Sequence, residues 1–314
     1  MLRKLLTLLT IFALALIPAG LAQDATIGII GGADGPTAIY VAGEWTDGLG
    51  RAVEIPESVD SVVSLTAANT EILYAMGAGD LLVGVDEYSN YPEEANALPR
   101  MGDYSGPNVE LIAASGADVV FASTTLQQDA IEKLDALGLN VVCVEPTNLE
   151  ELYEGVHLIA AVVGADAAPL LAEMSASLAE TSAAVPEDME PVSVYFALSF
   201  GEYGDYSAGP GTFIDEMIAM AGGTNVAGDS DYAWPMYSLE SIVAADPDVI
   251  LISDYGDGST VDQFCALEGY GQLRAVQEGH VYALTDDLIS RPGPRITEGF
   301  QQVVDALADA GAYD

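Results

Sequence analysis

Basic residues are almost missing from this chain. Eight lysines and arginines stand against 49 aspartates and glutamates, a formal charge of −41. Such a surface repels phosphate backbones and anionic headgroups, which excludes nucleic acid and anionic membranes as partners. Histidine is as scarce. His157 and His280 have no companion at ligand spacing, so no protein-held metal and no cofactor are expected. The two cysteines, Cys143 in the apolar run Val141–Val144 and Cys265 far downstream, read as small core residues rather than a disulfide. No segment beyond the N-terminus reads as membrane-spanning. A nucleophile–base pair and a glycine-rich phosphate loop followed by lysine are missing too, so an enzyme is not expected.

What is present begins with an export signal. Arg3 and Lys4 precede an apolar stretch from Leu5 to Ile17, and Gly20-Leu21-Ala22 offers a small-residue cleavage site. Residues 1–22 are therefore read as a signal peptide and the mature chain as periplasmic or extracellular. No cysteine stands at the cleavage point, so no lipid anchor is expected. About 290 residues then remain, enough for two domains. Half of all residues are hydrophobic, enough to bury a sizeable core.

Two stretches 130 residues apart nearly coincide. Asn108–Phe121 aligns with Ser238–Leu251, each a polar cap, a Glu in the first helical turn (Glu110, Glu240), a short amphipathic helix and a buried strand. A second pair, Thr70–Gly79 and Ile214–Gly223, reads as helices closed by glycine, with Gly84 and Gly228 following. A repeat seen twice implies two similar lobes with a cleft between them.

Strands alternate with helices along both lobes, which argues for α/β lobes with mostly parallel, Rossmann-like sheets. Residues 23–50 form a glycine-rich leader, 51–148 the N-terminal lobe, 149–190 connecting helices and 191–314 the C-terminal lobe. Of the connecting helices, the first starts at Asn148, with Glu151 three residues on as in a capping box, and stops at Gly164. The second starts at Asp166 and carries Leu170, Met174 and Leu178 on one stripe. At about 18 residues it would span roughly 27 Å, long enough for a rigid strut between the lobes. Within the leader, Ile27–Ala38 resembles a membrane motif of the β subunit of sodium-pumping decarboxylases. Asp34 has no membrane around it here, so that role is not carried over, and an extended leader or edge strand is expected.

Ligands of open α/β sheets bind beyond the carboxyl ends of the strands. The loops there are rich in aromatics: Tyr88, Tyr91 and Tyr104 in the first lobe, Phe200, Tyr203 and Trp234 in the second. Of the scarce arginines, Arg291 is placed to meet an anionic group on a ligand, and Arg295, at a helix start, to form a structural ion pair.

Taken together, Ser64–Glu71, Tyr88–Pro92, Gly106–Glu110, Trp234-Pro235, Ser238–Glu240 and Pro294–Ile296 resemble the binding proteins of ABC importers for iron complexes and vitamin B12. The likeness spans roughly residues 51–310. It implies two lobes joined by a long helix, a ligand cleft between them, and a metal chelate as ligand, with a corrinoid first and an iron–siderophore next. It also implies that Glu110 and Glu240 dock each lobe onto a dimeric permease. A glutamate in the first helical turn is also favourable to the helix dipole by itself. Tyr91, Tyr104, Phe200 and Trp234 resemble aromatics lining the B12 cleft, and Asp286 or Asp287 falls where a polar contact is expected. Ser123, Thr124 and Thr125 depart from that pattern, where a further aromatic would stand. The protein is expected to be a monomer. Two alternatives stay open: a haem-binding protein of the same fold with tyrosine as iron ligand, and a surface capture protein without transport.

Overall fold

The computed structural model describes residues 27–30, 38–41 and 45–313, apart from Thr125 and Asp257. The expected signal peptide and Asp34 lie outside these residues. The chain divides into two units, 1–45 and 46–314. In the first, β1 (Ile27–Ile30) pairs antiparallel with β2 (Ala38–Val41).

The larger unit carries two four-stranded sheets. The first contains β3 (Val62–Ser64), β4 (Leu82–Val85), β5 (Val119–Ala122) and β6 (Val141–Cys143), all parallel, in the order β4-β3-β5-β6. The second contains β7 (Val192–Ala197), β8 (Gly223–Asn225), β9 (Val249–Asp254) and β10 (Val281–Thr285), again parallel, in the order β8-β7-β9-β10. Both are therefore 2-1-3-4 sheets. The duplication seen in sequence is a duplication of topology. Each sheet has its own core, with Val63, Ile112, Val120 and Leu134 in one and Tyr195, Ile242, Ile250 and Phe264 in the other.

The first repeat falls on equivalent elements. Helices α2 (Val109–Ser115) and α7 (Leu239–Ala245) each precede the third strand of their lobe. Asn108 caps α2 by accepting from Leu111 N–H, and Ser238 caps α7 by accepting from Ser241 N–H. Both end left-handed, on Gly116 (φ 69°) and on Asp246 (φ 42°). The aspartate after each helix clamps the first strand of its lobe. Asp118 Oδ2 accepts from Ser61 N–H and Oγ at 2.9 Å each, and Asp248 Oδ2 accepts from Ser193 N–H and Oγ at 2.8 and 2.6 Å.

The second repeat holds with a correction. Helices α1 (Ala67–Ala75) and α6 (Phe213–Met220) follow the first strands, capped by Thr66 and Thr212. The glycines with positive φ that release them are Gly77 and Gly222, so the register differs by one from the sequence alignment. Gly84 lies within β4, whereas Gly228 lies past the end of β8; the shorter second strand removes that equivalence.

The connection is two 15-residue helices, α4 (Leu149–Val163) and α5 (Ala168–Ser182). Gly164, left-handed, separates them. Helix α5 is shorter than expected, about 22 Å at 1.5 Å per residue. It packs on the final helix, Ile296–Asp309, while α4 packs on α1. Asn148 caps α4 by accepting from Glu151 N–H, but the Glu151 carboxylate bonds Thr147 N–H and Oγ1, one residue before the box position.

Residues just before Arg51 fold onto the first sheet. Asp47 accepts from Arg51 Nε and Nη2 at 2.9 and 2.7 Å and from Cys143 N–H at 3.2 Å, and Gly48 N–H donates to Cys143 O. These bonds occupy backbone groups of the edge strand β6, which would otherwise be open to pairing.

Candidate functional site

In a β-α-β lobe the strands' carboxyl ends and the helices' amino ends share one edge. The bonds that join the lobes arise from that edge on both sides. Arg295, after β10, donates to Glu71 of α1 through Nε (2.9 Å to Oε2) and Nη2 (2.6 Å to Oε1). Arg291 Nη1 reaches Glu71 Oε1 at 3.2 Å and Asn90 Oδ1 at 2.8 Å, and its Nη2 lies 2.5 Å from Asp287 Oδ1. Glu71's side chain is 2% exposed and that of Arg291 13%. The Arg295 guanidinium also lies 4.0 Å over the centre of the Tyr91 ring.

A second junction uses the complementary elements. Phe213 N–H donates to Thr147 O at 2.9 Å, and Leu149 N–H to Glu216 Oε2 at 2.9 Å. In each junction an acid from the helix after strand one meets the segment after strand four of the other lobe. The two carboxyl edges therefore face one another across the cleft. A cavity of about 660 Å³ beside the first junction is lined from both lobes and from α5, by Glu71, Tyr91, Met174 and Arg295 among others.

The sequence-selected residues divide between surface and support. Tyr88, Tyr91, Tyr203 and Trp234 are exposed. Phe200 instead stacks edge-on against Phe264 at 5.3 Å, at the margin of the second core. Tyr104 is half-buried, its hydroxyl 2.8 Å from Ser123 Oγ and donating to Glu145 at 2.5 Å. Burial, then the bond to Glu145, push its phenol well above the usual range. Asp286 accepts from Ser253 and Ser290 at 2.5 and 2.6 Å, while Asp287 is paired with Arg291. Arg295 is the ion-pair partner expected; Arg291 is held in the same junction.

Two residues escaped the sequence reading. Tyr255 follows β9 directly and is 76% exposed, at the edge where ligands are expected. Its place after an apolar run was the available signal. Glu71 closes one of the strings that carry the resemblance, but its pairing was not readable there, since its partners lie more than 200 residues away.

Glu110 and Glu240 are both exposed, each the second residue of its helix. Because α2 and α7 begin at the carboxyl edges, one glutamate stands at that edge of each lobe. Bonds from its own N–H and from Ser238 hold the Glu240 carboxyl below its usual range. Cys143 is buried in the first core, and burial pushes its thiol up to about 12. Among the described residues there is no cluster of ligands fit for a metal ion and no helix long and apolar enough to cross a membrane.

The periplasmic binding protein family model matches residues 62–288. The chain is 31% identical over 270 residues to an uncharacterised ABC transporter substrate-binding lipoprotein of Bacillus subtilis, covering 83% of this chain and 84% of that one. It is 30% identical over 254 residues to a vitamin B12-binding protein of Yersinia pestis, covering 80% and 88%. The solved periplasmic haem-binding protein of a Roseiflexus species superposes with a TM-score of 0.69 at 27% identity, covering 81% of this chain and 99% of that one. The chain belongs to the periplasmic binding protein family, the substrate-binding components of ABC transporters.

Proposed function

We propose that this protein captures a metal chelate between its lobes, a corrinoid in first place and an iron–siderophore complex next, and hands it to the permease of an ABC importer. The observation that carries the reading is the pair of facing carboxyl edges bearing exposed aromatic rings, Tyr88, Tyr203, Trp234 and Tyr255 among them. Flat ring faces suit a large planar chelate that binds by shape and stacking. The vitamin B12-binding relative supports the corrinoid. The junctions at Glu71 and Glu216 support a largely pre-formed cleft, because they tie the lobes through the protein's own side chains and backbone.

Glu110 and Glu240 are the docking points in this reading. They occupy equivalent positions on equivalent helices, as a two-fold partner requires of a duplicated ligand protein. Haem is the second reading, favoured by the Roseiflexus structure and by exposed tyrosines able to ligate iron.

The test is to incubate the mature protein with cyanocobalamin, cobinamide, haemin and ferric siderophores, following tryptophan fluorescence and thermal unfolding. At about 100 times Kd a ligand adds roughly 2.7 kcal/mol to stability, several degrees for a domain of this size. A shift with a corrinoid supports the first reading and one with haemin alone the second. No shift with any of them contradicts both.

A further inference from the structure

Arg100 differs from the other described arginines in what it binds. Arg51, Arg274, Arg291 and Arg295 each meet a carboxylate. Arg100 Nη1 donates instead to two backbone carbonyls, Asp86 O at 2.9 Å and Ser89 O at 2.7 Å, and its Nη2 to Asn96 Oδ1 at 3.4 Å. Asn96 Nδ2 in turn donates to Asn90 O at 3.3 Å. One guanidinium thus grips both ends of the turn 86–89, which directly follows β4 at the carboxyl edge. A charged donor holds a carbonyl more strongly than a neutral one.

The backbone that carries Arg100 is itself fixed. Strand β4 lies at the edge of the first sheet, and residues 99–101 run beside it, with Val85 N–H donating to Pro99 O at 2.9 Å and Met101 N–H to Val85 O at 2.8 Å. Buried polar groups secure the turn as well. Asp86 accepts from Ser89 Oγ and, at 3.2 Å, from Tyr88 N–H, while Ser89 Oγ lies 2.8 Å from Thr70 Oγ1 on α1. Asp86, Ser89 and Thr70 are each no more than 1% exposed. Tyr88 and Asn90, on either side of Ser89, are exposed instead.

The two tyrosines of this loop are held in different ways. Tyr91 has the Arg295 guanidinium over its ring, and Asn90 accepts from Arg291, so the second lobe restrains both. Tyr88 is 57% exposed, and its described bond is the one its backbone makes to Asp86. The direction in which its side chain leaves the loop is therefore set by the turn that Arg100 and Asp86 hold.

On the reading of the chain as a chelate-binding protein, we infer that Arg100 is a positioning residue, which acts through Tyr88 by holding that ring ready as a stacking face for the chelate. A turn free to sample other conformations would have to be ordered at each binding event, at a cost in affinity.

A double-mutant cycle in binding tests this on the mature chain. Kd for cyanocobalamin, or for haemin if that is the probe bound, is measured calorimetrically for the parent, Arg100→Gln, Tyr88→Ala and the double variant, at a temperature where circular dichroism shows all four folded. Lost stability alone does not then move Kd, because apparent affinity falls only with the competent fraction. Asp47→Asn, which weakens the same lobe at its opposite edge strand, is the control and should bind as the parent does. Tyr88→Ala is expected to weaken binding about tenfold. Arg100→Gln should weaken it about fivefold in the parent, but no more than about twofold in the Tyr88→Ala background. If Arg100→Gln does not fold, Arg100→Lys completes the same cycle, with a smaller loss in the parent that again disappears in the Tyr88→Ala background. Unchanged Kd for the Arg100 variant or for Tyr88→Ala, a loss undiminished in the double variant, or an equal loss in Asp47→Asn overturns the inference and leaves the chelate reading standing. If the parent binds neither probe, the chelate reading falls and the inference with it.

Discussion

Arg295 and Glu71, 224 residues apart, form a two-bonded ion pair across the lobes, with Nε and Nη2 on separate carboxylate oxygens at 2.9 and 2.6 Å. The acid belongs to the helix after the first strand of one lobe, the base to the segment after the last strand of the other. Arg291 joins on the Oε1 side and ties Asn90 and Asp287 into the same junction. With Glu71 almost wholly buried, this junction fixes the separation of the two carboxyl edges.

Glu71→Gln removes the charge that two guanidiniums share. Breaking one side of a buried pair costs about 3 kcal/mol, measured as a lower unfolding midpoint in urea. A double-mutant cycle with Arg295→Gln should show non-additivity above about 0.5 kcal/mol. Additive effects would mean that the junction carries no coupling.

Asp47 makes a pH-dependent contribution. Burial raises its pKa, but bonds from Arg51 and from the Arg51 and Cys143 amides outweigh this and hold the carboxyl below its usual range. A lowered folded-state value means stability that is present above the unfolded pKa and lost as pH falls through the folded one. Because Arg51 is one-third exposed, screening limits the pair. Asp47→Asn should cost on the order of 2 kcal/mol at pH 7, and the gap to the parent should close below about pH 4. A gap unchanged down to pH 2 would contradict the assignment.

Trp234 is exposed in the loop before α7. Trp234→Ala should leave the unfolding midpoint within about 0.5 kcal/mol of the parent while weakening corrinoid binding by about 1 kcal/mol or more. Phe200→Ala should do the reverse, because Phe200 packs on Phe264. Its main effect is expected on stability, at about 2–3 kcal/mol for a half-buried ring. Equal effects on binding and stability for both variants would erase the distinction between surface and support.

Glu110→Lys combined with Glu240→Lys should abolish transport while leaving ligand affinity unchanged. Uptake in cells and titration of the purified protein separate the two. Normal uptake by the double variant would sink the docking assignment.

Much of the architecture was legible because the repeat stamped it twice. Asn108–Phe121 and Ser238–Leu251 each show cap, short helix and buried strand within 14 residues, and such local patterns survive without knowledge of the fold. Finer register was not legible: Gly77 and Gly222 are the equivalent helix stops, and only the sign of φ identifies them. Phe200, Tyr91 and Trp234 look alike in sequence, all aromatic and all in loops. Phe264 behind one and Arg295 over another distinguish them. Arg291 was read as a cation available to a ligand. Its placement against Glu71 depends on a helix and a loop separated by most of the chain, and no periodicity reports such a pairing.

Binding of a chelate by the facing aromatic edges is the proposal on which the function rests. Calorimetric titration of cyanocobalamin into the parent protein and into Trp234→Ala tests it most directly. One site per chain is expected in the parent, and a clear loss of affinity in the variant with unchanged stoichiometry. No binding by the parent, or binding that Trp234→Ala leaves untouched, would contradict it.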